Sequence, residues 1–373
     1  MTILYQPADW VAAAQVAIPA SSRAVNQLLI EARKAEDFGK PLAAALMHAL
    51  ARVLPGAEGI FDAVEHWPGD LANDGVIFRL NAGLHALALA GREPGVLRAL
   101  YEAGVRPSSF GLEAALAEAL DVHACELLGW LAHPTQTNET LRVAGLVAAL
   151  LELGRERALP CEVLELGASA GLNLNFPRYA VKLGTMAACA PESPVLLQPE
   201  WRGLAAARGA IAVTRARGVD LHPLNVADDA DRESLKAYVW PGEMGRAARL
   251  EAAIGLALKY PTTVDKGLAS NWLNGQFAVP QRDGVRRVVF HSMVLQYADA
   301  AERAAIDAAF AAAAAAGASR DRPIARVSIE WRADRQAVEL RIAEWDGGAM
   351  QGTARLAAIC HPYGEWIDWR GLA

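Results

Sequence analysis

The stretch Glu162-Val-Leu-Glu-Leu-Gly-Ala-Ser-Ala-Gly-Leu-Asn-Leu174 decides how this chain is read. A short apolar run closes on a carboxylate, Glu165, and opens into a loop whose glycines, Gly167 and Gly171, stand four apart. The pattern is that of a strand entering a tight turn. In an α/β sheet the carboxyl end of such a strand borders the ligand crevice. The same residues admit two chemistries. As Glu-x-Gly-x-x-x-Gly they form a nucleotide cradle, because glycines let the backbone approach a ligand and amides at the start of a following helix attract negative charge. As Gly167-Ala-Ser169-Ala-Gly171 they form a Gly-x-Ser-x-Gly nucleophile elbow.

Upstream of this stretch the chain reads as helical. Ala24–Phe38, Pro41–Leu54, Ile77–Ala90, Gly95–Ala103, Leu112–Leu131 and Asn138–Arg157 carry apolar residues three and four apart, punctuated by Gly and Pro. Downstream, the spacing predicts strands at 162–166, 211–219, 287–292, 324–330, 338–345 and 354–360, with helices at 229–239, 243–258, 264–277 and 300–316. Segment 178–200 reads as an inserted hairpin. The link between 338–345 and 354–360 is too short for a crossover helix, so those two strands must pair antiparallel. The expectation is an all-α domain over 1–158, followed over 159–373 by a Rossmann-like α/β domain. Its sheet is mainly parallel with an antiparallel C-terminal edge, as in the class I methyltransferase fold.

Bulk properties narrow the partners. A chain of 373 residues, 53% hydrophobic, can bury a large core. Of the net charge of −6, all the acidic excess lies in residues 1–150, with 10 Lys/Arg against 16 Asp/Glu; residues 151–373 carry 26 of each. The neutral second half gives no support to nucleic acid or anionic lipid as a partner and leaves a small-molecule ligand. Cys125, Cys161, Cys189 and Cys360 form no C-x-x-C pair, which argues against a disulfide framework or zinc site and for a reducing cytoplasm. The apolar run Val11–Ala20 follows Asp9 with no basic residue before it, unlike a signal peptide, and no long uncharged apolar run predicts a membrane span.

On the nucleotide reading, Glu165, Gly167, Ser169, Gly171 and Asn173 form the cradle of S-adenosylmethionine or a related nucleoside. Asp220, which ends the next strong strand, takes the ribose hydroxyls. It lies about 50 residues beyond the glycines, against roughly 20 in a simple βαβ unit, and the inserted hairpin accounts for the excess. Asn138 and Glu139 close the pocket from the helical side. In Val288-Val-Phe-His-Ser-Met-Val-Leu-Gln-Tyr297, His291 ends a strand and is the candidate general base at the acceptor; a buried structural histidine is the alternative. An ester hydrolase would use Ser169 with Asp299 or Asp321 and then His361, the chain order of that fold. Against it, the helical region before Ser169 offers no oxyanion segment, and the strand before the elbow begins the sheet. A third reading is a sheet whose crevice binds a metabolite without chemistry. Tyr238-Val-Trp-Pro241 precedes a helix bearing Arg246 and Arg249, expected to be snorkelling residues on a solvated face, with a Trp–Arg lid over a ligand as the alternative.

Five motifs recur in order: Thr135-Gln-Thr-Asn-Glu139, Leu164–Leu174, Glu200-Trp-Arg-Gly203, Tyr238-Val-Trp-Pro241, and His291-Ser292 with Gln296-Tyr297. Together they resemble an uncharacterised bacterial family catalogued as a domain of unknown function, number 2332, over Pro68 to Trp369. The resemblance implies no activity. Three positions depart from its pattern: Pro177 and Leu268 stand where acids are expected, and Tyr363 where a His is.

Overall fold

A computed structural model describes residues 22–93, 95–348 and 351–372; the Val11–Ala20 run lies outside them. The first regular elements are α1 (Arg23–Asp37), α2 (Pro41–Val53), α3 (Glu58–Glu65), α4 (Val76–Leu89), α5 (Val96–Glu102), α6 (Ser109–Val122) and α7 (Ala124–Ala132). Their ends are set by local chemistry. The Ser22 hydroxyl accepts from Val25 N at the start of α1 and donates to Glu65 Oε2 at the end of α3, fastening the two helices. The single helix expected over 112–131 is two helices. His123 turns the chain between α6 and α7, and its ring bonds the Arg92 carbonyl. Helix α3, too short to show a clear period, was not expected. Among the described residues no helix is long and apolar enough to cross a membrane.

Helix α8 (Val143–Leu153) follows a 3-10 turn over Thr140–Arg142 and is buried at all eleven positions. A helix apolar on every side needs cover on every side. It lies in the core of the sheet, whereas the core of the preceding helices ends at Leu131 and then takes in Trp240.

The strands are β1 (Cys161–Leu166), β2 (Ala180–Leu183), β3 (Met186–Cys189), β4 (Leu196–Leu197), β5 (Glu200–Gly203), β6 (Val213–Asp220), β7 (Val264–Lys266), β8 (Arg286–Ser292), β9 (Ile324–Trp331), β10 (Val338–Trp345), β11 (Arg355–Cys360) and β12 (Trp366–Trp369). Helices α9 (Asp229–Ala237), α10 (Met244–Lys259), α11 (Ala269–Ala278) and α12 (Ala300–Ala315) lie between them. Nine strands form one sheet in the order β5-β12-β11-β10-β9-β8-β1-β6-β7. Strands β7, β6, β1, β8 and β9 run parallel, β9 through β12 alternate antiparallel, and β5 runs parallel to β12 at the outer edge. The chain is therefore a mixed α/β protein with a large, mostly parallel sheet. The antiparallel portion is not the outermost strand, because Glu200-Trp-Arg-Gly203 returns to cover it. The inserted segment forms a small separate sheet in which β2 pairs antiparallel with β3 and parallel with β4. The helix expected over 264–277 is strand β7 followed by α11.

The strand order reverses at β1. Of the parallel strands, β6 and β7 lie on one side of β1, and β8 and β9 on the other. Side chains of β1 and β8 alternate between faces. Val163, Val288 and Phe290 join the core with α8 and α10, while Leu164, Leu166 and Val289 join the core with α11 and α12.

Candidate functional site

At the reversal point the backbone after β1 folds back under the end of β6. Gly167 N and Ala168 N both donate to Val219 O, at 2.9 and 3.0 Å, and Ser169 N donates to Asp220 Oδ2 at 2.8 Å. This pins Gly167, Ser169 and Gly171 in the left-handed region, with φ of 69°, 52° and 70°. A Cβ on Gly167 would come within 2.3 Å of Val294, and one on Gly171 within 2.4 Å of the Thr262 hydroxyl. Ser169 has no such licence; holding it there costs about 1–3 kcal/mol, a strain that concentrates at functional sites.

The α-helix anticipated after the loop is absent. Leu172–Arg178 forms 3-10 turns that contain Pro177, which cannot continue the ladder of amide donors. No helix dipole points at the crevice from this segment. What faces it instead are oxygen atoms. Asn173 Nδ2 donates to Glu165 Oε1 at 2.7 Å, which among the described residues leaves Asn173 Oδ1 and Glu165 Oε2 buried without a partner; Ser169 Oγ and Asn138 Oδ1 are likewise buried with no partner among them. Asn138, at φ 34°, reaches across from the helical side through Nδ2 to Ala168 O at 3.3 Å. Asp220 accepts from Ser169 N and from His222 N, and each carboxylate oxygen keeps a further lone pair. Burial, with Asp220 nearby, pushes the Glu165 carboxyl up to about 8 despite the bond from Asn173.

These groups border a cavity of about 620 Å³ between the strand ends and the helices. Of the expected site residues, Gly167, Ser169, Asn173, Asp220, Asn138 and Glu139 line it. Glu165 stands one layer behind, bracing Asn173, and Gly171 shapes the turn. Glu139 is less free than expected: Arg246 Nε and Arg249 Nη2 bind its two oxygens at 2.7 and 3.0 Å, and it caps Leu141 N. Arg246 is correspondingly buried, bridging Glu139 and Glu243 rather than lying on a solvated face. Trp240 is likewise core, edge-on to Phe78 at 5.2 Å between ring centres.

His291 ends β8 as expected, but its ring is on the α12 face, opposite Glu165, and is fully buried. Arg326 Nε donates to His291 Nε2 at 3.0 Å, so the imidazole proton sits on Nδ1 and is donated to Glu330 Oε1 at 2.7 Å. Burial lowers its pKa against the pull of Glu330. The same Glu330 oxygen accepts from Val294 N and Leu295 N, so His291 braces the 293–297 loop, part of the cavity wall.

The family described as "Uncharacterized protein conserved in bacteria (DUF2332)" matches residues 25–369. The chain is a member of the DUF2332 family. The match begins well before Pro68, so the first helices belong to the family unit. No curated protein matches the chain.

Among the described residues of this DUF2332 chain, the elements of a serine hydrolase are not assembled. Ser169 Oγ has no hydrogen-bond partner among them, so no imidazole of theirs is in reach to take its proton. Asp299 caps α12 through Glu302 N, Asp321 binds Arg157, and the His361 ring packs against Phe38. Of the three departures from the family pattern, Leu268 lines the cavity half-exposed at the start of α11, and Tyr363 lies beneath Arg246 at 4.9 Å. Two lining residues, Arg79 and Arg142, were not legible in the sequence, since a lone arginine in a helical stretch has no spacing that marks it.

Proposed function

We propose that the cavity binds S-adenosylmethionine or a close nucleoside relative, and that the protein is a methyltransferase acting on a small acceptor. The observation that carries this is the cluster of buried, unpartnered acceptor oxygens at the strand-order reversal, formed by Ser169, Asn173 and Asn138 beside Asp220. Buried polar atoms are nearly always paired in native proteins, so such a group marks where a ligand supplies the partners. The set calls for donors, which the hydroxyls of a ribose and an ammonium group provide. The lack of a helix N-terminus after β1 disfavours a phosphate in the cradle. The order β7-β6-β1-β8-β9 supports a Rossmann-like, class I methyltransferase-like reading, in which ligand binds where the order reverses. The small sheet β2–β4 and strand β5, between β1 and β6, explain the long gap to Asp220.

When bound, this cofactor supplies an electrophilic methyl group. The chain's own part is to accept hydrogen bonds from the ligand at Asp220 and Asn173 and to hold the 293–297 loop, through His291 and Glu330, as the opposite wall. Titration calorimetry with S-adenosylmethionine and S-adenosylhomocysteine tests this reading. Saturable binding is expected, weakened at least about tenfold by Asp220→Asn, the cost of losing a charge-assisted hydrogen bond, and abolished by Gly167→Val. An absence of heat at millimolar ligand would remove the reading.

A further inference from the structure

The cavity has a second end whose charge is opposite to that of the cradle. Arg142 is only 9% exposed, donates from Nε to Pro362 O at 2.7 Å, and has its guanidinium 6.0 Å from the centre of the Tyr363 ring. Among the described residues it forms no ion pair. Glu139 is held by Arg246 and Arg249, and Glu243 by Arg246 and Lys40. This junction, buried at Glu139, Glu243, Arg142 and Arg246 and part-exposed at Lys40 and Glu365, sets four cations, Lys40, Arg142, Arg246 and Arg249, against three carboxylates, Glu139, Glu243 and Glu365.

Arg79 lines the same cavity. Its Nη1 donates to Leu131 O at 2.9 Å, while its Nε is buried with no partner and it too forms no ion pair among the described residues. The neighbouring Asp74 accepts from Trp67 Nε1. Tyr297 and both arginines line the same cavity. Burial pulls both below the ordinary guanidinium range. Arg79 is part-buried, with its guanidinium 5.3 Å from the centre of the Trp67 ring, whereas Arg142 is buried outright; a buried cation without a counter-ion is costly, and proteins keep one where a ligand completes the pair.

We propose, on the nucleoside reading of the cradle, that the acceptor is a small organic acid whose oxyanion binds Arg142 and Arg79. Its apolar body lies against Phe38, Phe78 and Tyr363, which line the same space. The guanidinium fork matches the two oxygens of a carboxylate, and a phosphate monoester shares that chemistry.

The test uses the full chain without cofactor and three probes at constant ionic strength: benzoate, phenyl phosphate and the neutral isostere benzamide. Calorimetry and thermal shift should show binding of benzoate or phenyl phosphate at least about tenfold tighter than benzamide, with a loss of similar size in Arg142→Gln and partial retention in Arg142→Lys. The tighter of the two anions identifies the group. Arg79→Gln should also weaken the anion, and it carries the test if Arg142→Gln does not fold. Equal binding of benzamide and both anions, or undiminished anion binding in Arg79→Gln and a folded Arg142→Gln, overturns the assignment. Anion binding without S-adenosylhomocysteine binding would remove the cofactor reading and keep the oxyanion site; the reverse result would do the opposite.

Discussion

Glu165 is the residue whose chemistry the fold changes most. Its carboxyl is buried behind Asn173, near Asp220, and burial raises its pKa to about 8 from an unfolded value near 4.5. Between those values the folded chain holds a proton that the unfolded chain has released. The resulting stabilisation is complete below the unfolded pKa and is lost as pH rises through the folded one, with a slope of up to about 1.4 kcal/mol per pH unit. Glu165→Gln mimics the protonated form and should flatten stability against pH between 5 and 8, measured by urea unfolding at each pH. Parallel curves for the two proteins would mean that Glu165 is ionised in the folded state. That Glu165 closes β1 was legible, because a carboxylate after a short apolar run and before two glycines marks a strand end; that it stands behind Asn173 and not in the cavity lining was not. Nor was the direction of His291. All of β8 but Ser292 is buried, so no alternation of polar and apolar residues told which face its ring would take.

At the scale of elements, the connection from α7 to α8 carries the site from the helical side. Glu139 binds Arg246 and Arg249 of α10 and caps the 3-10 turn that leads into α8, all with almost no solvent. Removing one partner of a buried ion pair strands the other, so Glu139→Gln should lower unfolding free energy by about 3–5 kcal/mol. A loss below about 1 kcal/mol, the range of exposed pairs, would show the network to be wet. The helix expected from Asn138 begins as a 3-10 turn capped by Glu139 and becomes an α-helix only at Val143, and the ion-pair partners of Glu139 lie more than a hundred residues on, where sequence spacing carries no information. The same limit explains β5 and β12: each is four residues long and paired with a distant segment. Strands with longer apolar runs, β1, β8, β9, β10 and β11, were legible within two residues of their ends. Pro177, read only as a departure from a family pattern, is the local reason that the turn after Gly171 does not become a helix.

In the molecule as a whole, the helical layer and the sheet do not have separate surfaces at the cavity. Trp240, from the link between α9 and α10, completes the helical core, Tyr363 packs against that same core from beyond β11, and Lys40 of the helical layer pairs with Glu243 and Glu365. A buried helical core closed by residues of the sheet cannot lose the sheet and stay intact. Thermal unfolding should therefore be a single transition, with calorimetric and van't Hoff enthalpies in agreement. A ligand lodged between the cradle and Asn138 binds only when both parts are folded. At one hundred times its Kd, S-adenosylhomocysteine should then raise the unfolding free energy by about 2.7 kcal/mol and move that one transition as a unit. Two resolved transitions, of which the ligand moves only the later, would mean that the sheet alone holds it. In that case Asn138 would be a wall of the cavity and not one of the groups that grip the ligand.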